Sequence, residues 1–215
     1  MSSFKDSNLF QAWLVLILAT VFGTALAGIQ AKLGPVIEEN KIRETMEKIP
    51  ALVLGEDRAA KLAAENESLL IKSRIIEVEK NGITKFYTVY DVMFKEGSLA
   101  GHVTKASGQG YADKIELLLG LDPGGNTITG LFILDQKETP GLGNKILEDP
   151  WRNQFKDKAS DNRLVVVKGG AGKDNEIDSI SGATISSRSV TGIINTIIAD
   201  VKPRLVPPPK PKENT

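Results

Sequence analysis

Cysteine is absent from this chain, and histidine occurs once, at His102. The first absence excludes disulfides, iron–sulfur clusters, zinc fingers and thiol nucleophiles. The second excludes multi-histidine metal centres. Neither sign of charge is in excess, with 27 lysines and arginines against 27 aspartates and glutamates. A nucleic-acid-binding surface usually carries a basic excess, so that class of partner is not expected. No G-x-S-x-G elbow is present, and a lone His102 on an ordinary strand or loop is a poor catalytic base. Two phosphate-loop lookalikes also fail. In GGAGKD, 169–174, Val167 replaces the first required glycine and Asp174 replaces the hydroxyl residue. In GQGYAD, 108–113, Asp113 stands at the third glycine position and no clear strand leads in. The carboxylate pairs Glu38-Glu39 and Glu56-Asp57 lie in polar segments and read as solvated surface. Chemistry must therefore come from hydroxyls, carboxylates, lysines or a bound cofactor.

What is present begins with an uncharged run, LFQAWLVLILATVFGTALAGI, at residues 9–29. About 20 apolar residues suffice to cross a bilayer as a helix. Ala25-Leu26-Ala27 also fits a small-x-small cleavage site, but the run exceeds the usual signal-peptide core, so a retained anchor is expected. Gly34-Pro35 is expected to break the chain before VIEENKIRETMEKI. That segment reads as a helix with Val36, Ile37, Ile42, Met46 and Ile49 as an imperfect stripe. RIIEVEK and ITKFYTVYDVMF flank Asn81-Gly82, a tight-turn pair, and predict a hairpin. IELLLGLD and NTITGLFILD flank Asp122-Pro123-Gly124-Gly125 and predict a second, while RLVVVKGG adds a short β-branched run. The organisation expected is an N-terminal segment 1–8, an anchor 9–29, a helical connection 30–70, a domain 71–202 and a proline- and lysine-rich disordered tail 203–215. Hairpins with helices before and after, rather than regular alternation, indicate an α+β domain with an antiparallel or mixed sheet.

The most informative stretch is DSISGATISSRSV, residues 178–190. Val190, Ile193, Ile194, Ile197, Ile198 and Val201 recur at helical spacing and define one apolar face. Thr184 thus falls just ahead of that helix or in its first turn, with small Gly182 and Ala183 leaving the backbone uncrowded. A helix start exposes unpaired N–H groups and the positive end of the dipole, a natural seat for phosphate. Serines that merely cap the helix are the competing reading. Upstream, ETPGLG at 138–143 combines Pro140, which fixes φ, with Gly141 and Gly143, which permit sharp turning and close ligand approach. Leu142 is the one bulky apolar side chain between those glycines. GQGYADKI adds a glycine-rich loop bearing Tyr111.

Taken together, these segments resemble the covalent FMN-binding domain family. Its pattern D-x-x-(S/T)-G-A-T matches Asp178, Ser181, Gly182, Ala183 and Thr184, and ETPGLG followed by Trp151 and Phe155 resembles its second signature. Asp135-Gln136 departs from it where many relatives carry a histidine. The family occurs in the G subunit of the Rnf ion-translocating electron-transport complex and in the C subunit of the sodium-pumping NADH:quinone reductase. The resemblance implies FMN attached to Thr184 through a phosphoester made by a separate flavin transferase. Asp178, Ser181, Gly182 and Ala183 would form the recognised acceptor motif, and Thr139, Gly141 and Leu142 the loop against the flavin ring. It further implies a bacterial or archaeal single-pass protein of the cytoplasmic membrane, with its main domain on the extracytoplasmic side. There it would relay electrons among the other membrane and redox subunits. The short chain and its tail fit the Rnf protein better than the quinone-reductase one, and a non-redox anchored binding or assembly module is the remaining alternative.

Overall fold

The computed structural model describes residues 8–65, 67–80 and 82–205. The chain divides into two units, Met1–Glu44 and Thr45–Thr215. The first unit is built from helix α1 (Asn8–Leu54), which also continues into the second. Apolar residues of its opening turns, Leu9, Trp13, Leu16 and Phe22 among them, are exposed. By length and composition α1 can cross a membrane.

The expected break at Gly34-Pro35 does not occur, because α1 runs through it. Pro35 withholds the hydrogen bond that the Ala31 carbonyl would accept, but the surrounding turn is exposed and that carbonyl remains open to solvation. Of the expected stripe, only Ile49 is buried. Val36, Ile37, Ile42 and Met46 are exposed, whereas Thr45, Ile49, Leu52 and Val53 are the buried residues of α1.

Helix α2 (Glu56–Ala64) precedes a five-stranded antiparallel meander in the order β1-β2-β3-β4-β5. Its strands are β1 (Leu70–Lys80), β2 (Ile83–Met93), β3 (Leu99–Gln109), β4 (Lys114–Leu121) and β5 (Ile128–Asp135). Both expected hairpins are present, with Gly82 in the left-handed region at φ 73°. Asn81 and the tail residues 206–215 lie outside the described residues. Strand β3 carried no clear signal of its own, yet it leads directly into GQGYAD. That loop turns into β4 rather than into a helix, so it still lacks the strand–turn–helix of a dinucleotide site.

The sheet has two covered faces. On one, Val89, Leu117, Leu119 and Ile133 pack with Val190, Ile194 and Ile197 of helix α4 (Thr184–Val201). On the other, Tyr90, Val92, Val103 and Leu118 pack with Ile49, Leu52 and Val53 of α1. Cover on both sides explains why β4 reads as the run IELLLGL, apolar but for Glu116, in which Ile115, Leu117, Leu118, Leu119 and Leu121 are all fully buried. A Cβ on Gly120 would lie 2.5 Å from the Leu52 carbonyl, so glycine there lets α1 approach the strand. Thr129 then donates to that same carbonyl at 2.6 Å. Two short strands, β6 (Val165–Val167) and β7 (Glu176–Asp178), pair in parallel beside α4. Pro203 to Leu205, assigned to the tail by sequence, lie within or just after a terminal turn. The Arg204 guanidinium there donates to the Asp200 carbonyl, and Leu205 packs on the core.

Two carboxylates, each held by one buried partner and one more exposed cation, are expected to make the domain acid-sensitive. Burial pushes the Asp200 carboxyl up, but bonds from Lys80 and Tyr87 more than offset that and hold it below its ordinary value. Asp91 is likewise raised by burial, and His102 and Arg74 lower it by more. A depressed folded-state value stabilises the domain above the ordinary aspartate range, near about 4, and that stability drains as pH falls through the lowered values. Denaturant midpoints for the full chain in detergent should therefore fall steeply below about pH 4. Asp200→Asn should lose about 1–3 kcal/mol at pH 6 and show a shallower acid slope. An unchanged slope in that variant would remove Asp200 from the account.

Candidate functional site

Helix α4 starts at Thr184, with Ala183 as its N-cap and no side-chain capping hydrogen bond to the N–H groups of its first turn. The serines near this start are engaged elsewhere. Ser186 donates its hydroxyl to the Glu138 carboxylate. Ser187 accepts the Ile180 N–H at 3.0 Å and donates to the Ala183 carbonyl at 3.0 Å. The capping alternative is not realised. The start of an 18-residue helix is left with its first N–H groups and the positive end of its dipole facing outward.

It faces a cleft of about 850 Å³. Ser181, Gly182, Ala183 and Thr184 form one wall, and Thr139 and Leu142 another. Leu142 is 44% exposed, and its Cδ2 lies 3.0 Å from where a Gly182 Cβ would stand. Gly182, at φ 78°, therefore combines a left-handed backbone with room for the leucine. Lys168 and Gly169 line the cleft as well. The discarded GGAGKD segment thus borders this cavity through its first residue and the lysine before it, without forming a phosphate loop.

Gly141 and Asp178 do not line the cleft. Gly141, at φ 76°, is the corner of a turn closed by the Leu142 N–H on the Thr139 carbonyl at 3.1 Å, and its position aims Leu142 inward. Asp178 stands behind the wall. Its carboxylate accepts the Ala171 N–H at 2.9 Å and so tethers the 168–171 loop. Its backbone is clamped by Trp151 Nε1 donating to the carbonyl at 2.9 Å and by its own N–H on Gln154 Oε1 at 2.7 Å. Trp151 and Phe155 meet edge to face at 5.1 Å beneath it.

Sequence reasoning passed over Glu138. It is 4% exposed, and its Oε1 accepts the N–H groups of Tyr111 at 2.9 Å and Ala112 at 3.1 Å, while Oε2 takes the Ser186 hydroxyl. One carboxylate thereby joins the GQGYADKI loop, the ETPGLG loop and the first turn of α4. Close packing around it demands glycine. A Cβ on Gly110 would fall 2.4 Å from Oε1, and one on Gly143 would fall 2.7 Å from Oε2. The only sequence signal was a charged residue opening a loop flanked by glycines. His102, by contrast, is a buried strand residue with Nδ1 on Asp91 at 2.6 Å, and it takes no part in the cleft.

An uncapped helix start, a small-residue wall and one apolar prong suit a phosphate-bearing, flat aromatic cofactor. The pattern of the FMN-binding domain family matches residues 110–199. The chain is 31% identical over 177 residues to the G subunit of an ion-translocating oxidoreductase complex from Haemophilus influenzae. That match covers 77% of this chain and 82% of the relative. It is 40% identical over 104 residues to the G subunit of a Na(+)-translocating ferredoxin:NAD(+) oxidoreductase complex from Acetobacterium woodii. That match takes in 47% of this chain and spans about half, 49%, of the relative. In fold it resembles the crystal structure of Shewanella oneidensis NqrC, with a TM-score of 0.59 and 19% identity, over 78% of this chain and 98% of that one. The match over residues 110–199 defines an FMN-binding domain. This chain belongs to the FMN-binding domain family of ion-translocating oxidoreductase complex subunits.

Proposed function

We propose that this chain is the G subunit of an Rnf-type complex, an anchored electron relay carrying FMN as a phosphoester on Thr184. The observation that carries the proposal is Thr184 at the first position of an uncapped helix, on the wall of the cleft shared with Leu142. The N–H groups of that helix start would stabilise the phosphodiester charge. Thr139 and Leu142 would lie along the flavin ring, and Glu138 would hold the three wall segments in register. FMN supplies reversible electron uptake, while the protein supplies position and surroundings. In the attachment step a flavin transferase would present an activated flavin phosphate; the Thr184 oxygen would bond to its phosphorus, the bond from phosphorus to the activating group would break, and that group would leave with the threonine proton. The chain then gains FMN less one water.

A relay rather than a self-sufficient dehydrogenase is supported by the missing nicotinamide fingerprint and by a cleft whose described lining holds no histidine. Partner subunits of the same complex would deliver and accept the electrons, and α1 would hold the domain beside them on the extracytoplasmic side. In membranes from transferase-competent cells, the chain should hold a reducible flavin yet oxidise NADH at a negligible rate outside the assembled complex. A cysteine introduced at exposed Asp161 should react with a membrane-impermeant maleimide in intact cells. Rapid NADH oxidation by the purified chain refutes the relay, and labelling only after the membrane is opened reverses the orientation.

A further inference from the structure

Of the described residues lining the cleft, Glu138 and Lys168 alone carry formal charge. They differ sharply in setting. Lys168 is exposed, whereas Glu138 is buried. The hydrogen bonds Glu138 accepts come from uncharged donors, the N–H groups of Tyr111 and Ala112 and the Ser186 hydroxyl. Such bonds replace lost hydration but leave the charge itself in place. A buried charge acts through a less polarisable medium than an exposed one, and salt screens it less.

We infer that Glu138 sets the reduction potential of the bound FMN, by holding a buried negative charge in the cleft wall. This rests on the reading that the cleft holds the flavin ring. Reduction adds two electrons from the reductant to the flavin, with protons drawn from solvent. A fixed anion beside the ring opposes that uptake and keeps the potential low. The same carboxylate positions the three wall segments, so charge and packing must be separated by experiment.

Glu138→Gln does so with little change of shape. Its amide oxygen can still accept the two N–H groups, and its NH₂ can donate to the Ser186 oxygen once that hydroxyl turns, so the three links are kept while the charge is lost. In a dithionite titration of the full chain, the ratio of reduced to oxidised flavin at a fixed potential should rise about tenfold. That is about 30 mV for a two-electron couple. Glu138→Asp keeps the charge and should remain within threefold of wild type. So should Ser186→Ala, which removes one bond and no charge. Lys168→Gln removes the opposite charge and should lower the ratio, by less than the Glu138 change because solvent screens it. That variant also serves if Glu138→Gln fails to fold.

Equal shifts in Glu138→Gln and Ser186→Ala would assign the effect to packing and overturn the inference. So would a Glu138→Gln ratio within threefold of wild type, or an unchanged or raised ratio in Lys168→Gln. Peptide mass spectrometry of each variant separates this from the site assignment. Flavin found on Thr184 with no shift overturns the inference alone, and flavin found elsewhere overturns both.

Discussion

Replacing Thr184 with alanine is expected to abolish covalent FMN while moving the thermal midpoint by no more than about 2 °C. The large effect comes from chemistry, since alanine has no oxygen to bear the phosphoester. The small one comes from placement. Thr184 lies at the first position of α4, and the helix's buried face is formed instead by Val190, Ile194, Ile197 and Val201. Substitutions that touch neither core nor cap usually cost within about 0.5 kcal/mol, and one kcal/mol moves a domain of this size by roughly 2–4 °C. Tryptic peptide mass spectrometry of protein made with a flavin transferase reads the first effect, and circular dichroism reads the second. Wild-type peptide containing Thr184 should gain FMN less one water, and the variant peptide should gain nothing. Flavin retained in the variant would move the attachment to another hydroxyl, Ser181 and Ser186 being the serines nearest along the chain that line the cleft.

The largest loss of stability is expected from Phe155→Ala. Phe155 is fully buried, and its ring meets Trp151 edge to face. Truncating a buried phenylalanine costs about 3–5 kcal/mol, the lost transfer energy plus the cavity left behind. Against a typical domain stability of about 5–15 kcal/mol, that should lower the midpoint by about 10 °C or more. The effect should also reach the cofactor. Trp151 and Gln154 together clamp the backbone of Asp178, and Asp178 tethers the loop carrying Lys168 and Gly169. With the Trp151 support loosened, flavin loading should fall at temperatures where the domain is still folded. Urea denaturation of the full chain, with flavin content measured on the same samples, checks both parts. A loss under about 1 kcal/mol would mean that the core closes over the missing ring.

The local elements were legible in the sequence because each is set by short-range periodicity. Six apolar residues at helical spacing marked α4 and placed Thr184 at its start. Turn residues set between apolar and β-branched runs marked the β1–β2 and β4–β5 hairpins. Strand β3 escaped because LAGHVTKASGQ has neither clean alternation nor an apolar run; its strand character comes from pairing with β2 and β4 on either side. Gly34-Pro35 misled because proline's cost in a helix is local, whereas α1 is supported by long runs on both sides. Only Ile49 of the apolar stripe read in α1 is buried, for a related reason. Which of its turns are covered depends on where Leu52 meets Gly120 and Thr129, residues far along the chain. The same division holds in the site. That Thr184, the small residues before it and the leucine of ETPGLG belong to short local motifs was readable in order, because each motif is contiguous. That Asp178 stands behind the wall and Gly141 at a corner, while Leu142 enters the cleft, was decided by the fold. So was the role of Glu138. It bonds Tyr111 and Ala112 on one side and Ser186, 48 positions away, on the other. No periodicity or spacing encodes such a contact, which exists only once the sheet and α4 have packed and buried the carboxylate among donors.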